Sequence, residues 1–133
     1  MLFSCALTIK SDTRYLTPLR GFVRAASEAA GLGHGRDLQT ALCMAIVEAV
    51  DNAIVHAHRR RKALPIRISL VIDRKKIVME VVDTGSGISH LSFAEPDPCA
   101  CGGRGLFLIN RVMTKVESRT FGRGHKLRMI KLI

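Results

Sequence analysis

Five short segments of the chain have the apolar content of β-strands. They are residues 2–9, 66–70, 77–82, 116–120 and 126–132. Residues 66–70 alternate cleanly between apolar and polar side chains, which is the pattern of a strand with one buried face. Polar or glycine-containing turns at 73–76 and 121–124 separate the later strands, so that two hairpins are predicted.

Apolar residues recur at helical spacing in three other segments. In the first, residues 19–30, the apolar positions are followed by Gly31 and Gly33, which end the helix. The longest is 35–60, and the third is 105–113. The stripe of the long helix comprises Leu38, Leu42, Ala45, Ile46, Ala49, Ala53 and Ala57. The order of elements predicts a single α+β domain over 1–133, a two-layer α/β sandwich with the helices on one face of a mixed or antiparallel sheet.

Composition narrows the function only slightly. Lysine and arginine number 21 against 11 aspartates and glutamates, and the net charge of +10 favours an anionic partner without choosing one. A specific nucleic-acid interface is not expected, since basic residues are not interleaved with aromatic ones. Four cysteines fit reduced cytoplasmic thiols, and Cys99 and Cys101 are interpreted as incidental loop thiols. No stretch of about 20 apolar residues suggests a membrane span.

One polar face interrupts the long apolar helix. Glu48, Asn52 and His56 are spaced four residues apart and therefore share a side. A carboxylate beside an amide can hold a divalent cation or position an attacking hydroxyl. Mg²⁺ suits such a site because it takes few protein ligands besides phosphate oxygens. Taken alone, an exposed polar stripe is the simpler interpretation.

Two glycine-containing segments complete the candidate chemistry. Asp83 ends an apolar strand just before 84–88, where its carboxylate could accept a hydrogen bond from an exocyclic amine such as that of adenine. The glycines of residues 102–105 come directly before a predicted helix start. The free N–H groups at such a start can bind phosphate. Arg104 could add a positive contact. Without context, residues 83–88 are interpreted as a tight turn and residues 102–105 as a flexible segment before an ordinary helix. The segment 102–105 matches neither a P-loop nor a Rossmann fingerprint.

The order of these three segments resembles the GHKL ATPase superfamily, and within it the anti-sigma factor serine kinases. The matching boxes are 48–56, 83–88 and 103–106. The resemblance implies the Bergerat, or histidine kinase-like ATPase, fold with ATP and Mg²⁺ as ligands. It further implies a serine/threonine kinase that phosphorylates a small antagonist protein, binds a sigma factor and often forms a homodimer.

The same resemblance implies residue roles. Asn52 would hold Mg²⁺, Asp83 would bind the adenine amino group, and Glu48 would be the general base. The remaining nucleotide-binding residues would be Gly85, Gly87, Gly103, Arg104, Gly105 and Leu106. One departure from the family is His125, which stands after the last turn where the family often has a threonine that supports the adenine site.

Three alternatives remain open at this point. The domain could be a non-catalytic regulatory module that uses ATP only to set its affinity for a partner, which the altered turn at His125 would favour. It could be the stand-alone ATPase domain of a histidine kinase system, although no helical hairpin with a phosphoacceptor histidine precedes it in the sequence. A nucleic-acid binder rests on net charge alone.

Overall fold

A computed structural model of the chain describes residues 3–32, 35–57, 64–84, 105–122 and 124–133. Within these residues, all eight predicted elements are present in the predicted order. The strands are β1 (Phe3–Lys10), β2 (Pro65–Ile72), β3 (Lys76–Asp83), β4 (Lys115–Phe121) and β5 (Gly124–Leu132). The helices are α1 (Leu16–Ala29), α2 (Arg36–Asn52) and α3 (Gly105–Val112).

The strands form one five-stranded sheet in the order β1-β2-β3-β5-β4. Every pairing among the described strands is antiparallel, so the sheet is antiparallel rather than mixed. Two hairpins, β2–β3 and β4–β5, account for two of the pairings. In the first hairpin, Asp73 Oδ1 accepts hydrogen bonds from the backbone N–H groups of Lys75 and Lys76 at 2.8 and 2.9 Å. This local acceptor fixes the polar turn predicted at 73–76.

The hydrophobic core lies between the sheet and the helices. In register across all five strands, Cys5, Leu70, Met79, Met129 and Val116 form one row of side chains. The central members of the row are almost fully buried. Because alternate residues of a strand face opposite sides, the apolar positions of every strand collect on the helix-covered face. Burying a side chain of this size contributes about 1.5–3 kcal/mol, so this face accounts for much of the stability.

Helix α2 is the central helix and contacts both α1 and α3. Its buried residues are Leu42, Cys43, Ala45, Ile46, Val47, Ala49 and Val50. The segment Arg36–Val55 is long and apolar enough to cross a membrane by length and composition, contrary to the sequence expectation. However, half of its most apolar window is buried inside the domain, which is typical of a core helix.

The regular part of α2 ends earlier than its apolar pattern suggests. The pattern predicts one helix to residue 60, whereas the α-helix ends at Asn52 and a π-helical turn follows at Ala53–Ala57. A π-helical turn changes the hydrogen-bonding register of the backbone and is frequent at functional sites. Periodicity in the side chains cannot distinguish it from a continuing α-helix, since the same apolar residues face the core.

Candidate functional site

A small pocket lies between the helix layer and one end of the sheet, within about 260 Å³ of space that includes open solvent. It is bounded by the C-terminal part of α2, the start of α3, the end of β3 and the beginning of β5. Its lining residues are Ala49, Asn52, Ala53, Val81, Asp83, Leu106, His125 and Leu127. The pocket is mostly apolar with three polar groups, which is the usual composition of a small-molecule site.

Two alanines create the space in this pocket. Ala49 and Ala53 are four residues apart, face the sheet and are each 3% exposed. A longer side chain at either position would extend toward Val81 and Leu127 on the sheet. The small residues therefore keep this part of the pocket lining apolar and add little volume to it.

Asp83 supplies the carboxylate of the sheet wall. It is the last residue of β3, and its side chain is 4% exposed. Antiparallel register places it directly opposite His125 on β5, whose Nδ1 lies 3.7 Å from Asp83 Oδ2. A buried carboxylate is costly unless polar partners surround it, so this contact compensates part of the cost of burial.

His125 connects Asp83 to the edge of the sheet. Its Nε2 lies 2.6 Å from the Ser118 hydroxyl oxygen on β4, and the residue is 3% exposed. In the sequence, His125 is only a departure from the family pattern, and this chain of contacts is not predicted. The β4–β5 hairpin turn determines only which residues of those two strands are paired, whereas the pairing of His125 with Asp83 is long-range and has no local sequence signal.

Glu48 and Asn52 supply the polar groups of the helix wall. Both are half-buried, which argues against the exposed polar stripe, and Asn52 lines the pocket. The Asn52 side-chain nitrogen is buried without a hydrogen-bond partner among the described residues. A buried amide nitrogen without a partner is destabilising by about 1–3 kcal/mol, and an acceptor placed in the pocket would relieve that cost.

The start of α3 packs directly against these two side chains. A Cβ atom added at Gly105 would lie 2.7 Å from Glu48 Oε2 and 3.3 Å from Asn52 Nδ2. A Cβ at this position would require the Glu48 carboxylate to move, so glycine lets the first turn of α3 lie next to this carboxylate and the Asn52 amide. The open N–H groups and partial positive charge of a helix start favour anions at such a place.

The electrostatic environment of Glu48 suits proton transfer. Burial raises the pKa of its carboxyl group above the ordinary value, and the negative charge of Asp51 raises it further. A carboxylate with a raised pKa is a stronger base and accepts a proton more readily near neutral pH.

The helix wall also fits a magnesium ion held jointly with a phosphorylated ligand. Among the described residues, no group of three or more His, Cys, Asp or Glu side chains could hold a metal. Mg²⁺ does not require such a group, because it keeps several waters and binds phosphate oxygens. Asn52 offers this wall a side-chain oxygen, the ligand type that Mg²⁺ takes, whereas its buried Nδ2 is a hydrogen-bond donor and would meet a ligand oxygen instead.

The structure thus brings Glu48, Asn52, Asp83, Gly105 and Leu106 to one region, with Asn52, Asp83 and Leu106 lining the pocket itself. The other predicted residues lie outside the described part of the chain: Gly85, Gly87, Gly103 and Arg104. Cys99 and Cys101 lie outside it as well, and the side chain of His56 is not described.

Comparison with solved structures supports the fold. The RsbU and RsbW domains of a Mycobacterium tuberculosis protein match with a TM-score of 0.68 and 14% identity, over 98% of this chain and 32% of that chain. The histidine kinase domain of a blue-light activated histidine kinase from Erythrobacter litoralis matches with a TM-score of 0.56 and 15% identity, over 92% of this chain and 61% of that one.

Sequence comparison supplies the family. An anti-sigma F factor from Clostridium acetobutylicum is 34% identical over an alignment of 97 residues, and the match covers 66% of this chain and 66% of that protein. The chain thus spans about two thirds of the length of that relative and a smaller share of the length of each of the two solved chains. The family model described as the histidine kinase-like ATPase domain matches residues 9–131. This confirms the resemblance drawn from the three boxes, and the chain belongs to the histidine kinase-like ATPase family.

Proposed function

We propose that the protein is an ATP-dependent serine/threonine kinase of the anti-sigma factor type. The observation that carries the proposal is the meeting of Glu48 and Asn52 with the start of α3 beside a pocket whose far wall holds Asp83. The similarity to an anti-sigma F factor supports the same class. By this proposal the protein is cytoplasmic, and its macromolecular partners are a small antagonist protein and a sigma factor.

In this proposal the sheet end of the pocket binds the adenine of ATP. Asp83 accepts a hydrogen bond from the amino group, while Ala49, Val81 and Leu106 contact the ring. The apolar lining excludes water from that bond, which strengthens it. Gly85 and Gly87, which follow Asp83 in the sequence, allow the backbone to approach the nucleotide closely.

The helix end of the pocket binds the triphosphate. Asn52 would hold Mg²⁺ together with phosphate oxygens. The N–H groups at the start of α3, from Gly105 onward, would donate to the phosphates, together with Gly103 and Arg104 just before the helix. The nucleotide would supply the transferable γ-phosphoryl group, and the metal ion would neutralise part of its charge. Glu48 would accept the proton of the substrate serine hydroxyl while that oxygen bonds to the γ-phosphorus and ADP leaves.

The first experiment measures phosphoryl transfer to protein. Antagonist proteins of the anti-anti-sigma type from the same genome are incubated with the kinase, Mg²⁺ and labelled ATP. Phosphoserine is expected on one of them, and Asn52→Ala is expected to abolish most of the Mg²⁺ dependence of ATP binding measured by calorimetry. Tight ATP binding without phosphoserine on any of them would contradict the kinase assignment.

A regulatory module without catalysis is the second candidate, and one contact favours it. Asp83 already contacts His125 across the strands, so the adenine end of the pocket is stabilised from within the fold. Such a site could bind ATP to set the affinity for a partner without any transfer. If binding to a sigma factor still depends on ATP in Glu48→Gln, and wild type yields no phosphoserine, this candidate replaces the first.

A further inference from the structure

Three polar side chains form a continuous line from the edge of the sheet into the pocket. The Ser118 hydroxyl oxygen lies 2.6 Å from His125 Nε2, and His125 Nδ1 lies 3.7 Å from Asp83 Oδ2. Both His125 and Asp83 are 3% exposed, so the contacts between them are shielded from water. The proposed function uses Asp83 alone and assigns nothing to His125 or Ser118.

The neighbours of the imidazole determine which ring nitrogen carries the proton. If Nδ1 were unprotonated, its lone pair would face the carboxylate oxygen of Asp83, and the two would repel each other. With the proton on Nδ1, an N–H dipole points toward that oxygen, while Nε2 accepts a hydrogen bond from the Ser118 hydroxyl. At 3.7 Å the contact with Asp83 is longer than a hydrogen bond, and it acts as an electrostatic restraint on the carboxylate.

We propose that His125 is a positioning residue that orients the Asp83 carboxylate toward the exocyclic amino group of adenine, with Ser118 fixing the ring of His125. The proposal rests on the proposed ATP site. A carboxylate can rotate about its Cβ–Cγ bond, and the contact at Oδ2 restricts this rotation from the β5 side of the pocket. A restrained acceptor loses less entropy when a donor binds, so recognition of the amino group becomes stronger.

The position of His125 in the fold supports this role. Antiparallel register pairs it with Asp83 on one side and with Thr120 of β4 on the other. Gly124, just before it, is held close to Asp83: a Cβ there would lie 3.1 Å from the Asp83 backbone oxygen. The backbone of β5 is thus pressed against the end of β3, which keeps the imidazole at a fixed place beside the carboxylate.

Two substitutions separate the two contacts of His125. The amide nitrogen of asparagine occupies nearly the position of Nδ1, and that of glutamine occupies nearly the position of Nε2. His125→Asn therefore keeps a donor facing Asp83 and loses the contact with Ser118. His125→Gln keeps a group facing Ser118 and loses the donor facing Asp83. The two variants are otherwise closely matched in size and polarity.

The measurement is the affinity for ATP relative to purine riboside 5′-triphosphate, which lacks only the 6-amino group. A general loss of folding would weaken both ligands equally, so the ratio reports recognition of the amino group. A hydrogen bond to a charged acceptor corresponds to roughly a 10- to 100-fold preference for ATP in wild type. We expect His125→Asn to keep most of this preference, His125→Gln to lose about tenfold of it, and Ser118→Ala to lose less.

Each outcome decides the proposal. Equal ratios in wild type, His125→Asn and His125→Gln would overturn it while leaving the ATP site intact. Absence of ATP binding in wild type would overturn both this inference and the proposed function. Circular dichroism of each variant confirms that it is folded, and a variant that does not fold is replaced by Ser118→Ala, whose substituted residue is exposed.

Discussion

The two walls of the pocket are built in different ways. On the sheet wall, Asp83 and His125 lie in paired strands, are almost fully buried and contact each other. On the helix wall, Asn52 has a buried nitrogen without a partner among the described residues, and the half-buried Glu48 has a raised pKa. One wall satisfies its polar groups within the fold, whereas the other leaves them in an unfavourable environment.

This difference indicates a division of labour. A wall whose polar groups are already paired gains little from a ligand in stability, but it presents an acceptor of fixed geometry. A wall with polar groups that lack partners gains most when a ligand arrives, because binding relieves a cost already present in the folded state. Changes on the helix wall should therefore alter chemistry more than stability, and changes on the sheet wall should alter both.

The largest effect is expected from removing the base on the helix wall. Glu48→Gln keeps the size of the side chain and removes its ability to accept a proton. The rate of serine phosphorylation should fall by about 10²–10⁴-fold, with the Kd for ATP within a few-fold of wild type. Quantitative phosphorylation assays and calorimetry measure the two quantities. Equal losses of rate and affinity would mean that Glu48 binds the nucleotide instead.

A second test alters the junction between α2 and α3. In Gly105→Ala, the new Cβ would displace the Glu48 carboxylate and crowd the Asn52 amide, since the distances to them are 2.7 and 3.3 Å. Misplacement of catalytic groups by about 1 Å lowers rates by as much as 10²-fold, so a 10- to 100-fold decrease in phosphorylation rate is expected.

Helix stability should not fall in the same variant, because alanine is a better helix former than glycine. The matched control is Gly21→Ala in α1, where a Cβ would meet nothing within 4 Å. The control should raise the free energy of unfolding by about 0.5–1 kcal/mol and leave the phosphorylation rate unchanged. A Gly105→Ala variant as active as the control would show that the close packing of α3 on Glu48 is not needed.

Much of the helix wall could be predicted from sequence because its signals are local. The spacing of Glu48 and Asn52 determines that they share a helix face, and the glycine before Leu106 marks the start of α3. Asp83 was equally visible as a carboxylate at the end of an apolar strand. These four residues lie in one region of the fold, as the resemblance implies.

The sheet wall was only half predicted, because its remaining contacts depend on strand order. His125 meets Asp83 only because β5 lies between β3 and β4, which no local pattern specifies. The prediction that α2 continues to residue 60 was wrong for a related reason. The π-helical turn at Ala53–Ala57 changes backbone hydrogen bonds while leaving the apolar side chains in place. Sequence periodicity reports side chains and not backbone pairing.

A third test adds volume to the sheet wall. In Gly124→Ala, the new Cβ would lie 3.0 Å from the Phe121 ring and 3.1 Å from the Asp83 backbone oxygen. Because that oxygen belongs to a paired strand, β3 and β5 must separate slightly. The free energy of unfolding should fall by about 1–2 kcal/mol, measured by urea denaturation, together with a several-fold loss of ATP affinity.

The double variant Gly124→Ala, Phe121→Ala identifies which contact is responsible. Phe121 is 45% exposed and its ring can move, whereas the backbone of Asp83 cannot do so without disturbing the sheet. Most of the loss should therefore persist relative to Phe121→Ala alone. Full recovery in the double variant would place the conflict at the aromatic ring and leave Asp83 undisturbed.

The smallest effect concerns stability on the helix wall and its dependence on pH. Since burial and Asp51 raise the pKa of Glu48 in the folded state, its ionised form destabilises the fold, and its protonated form does not. Stability associated with Glu48 is thus fully present below the ordinary glutamate pKa and is lost as pH rises through the raised value. Glu48→Gln should accordingly increase the melting temperature slightly at pH 7–8, with the gain disappearing toward about pH 4.

Glu28→Gln, which changes an exposed residue of α1, is the control for the change in net charge. A gain that stayed constant over this pH range, or that the control matched, would mean that the carboxylate of Glu48 is not held under electrostatic cost, and the contrast between the two walls would lose its energetic basis.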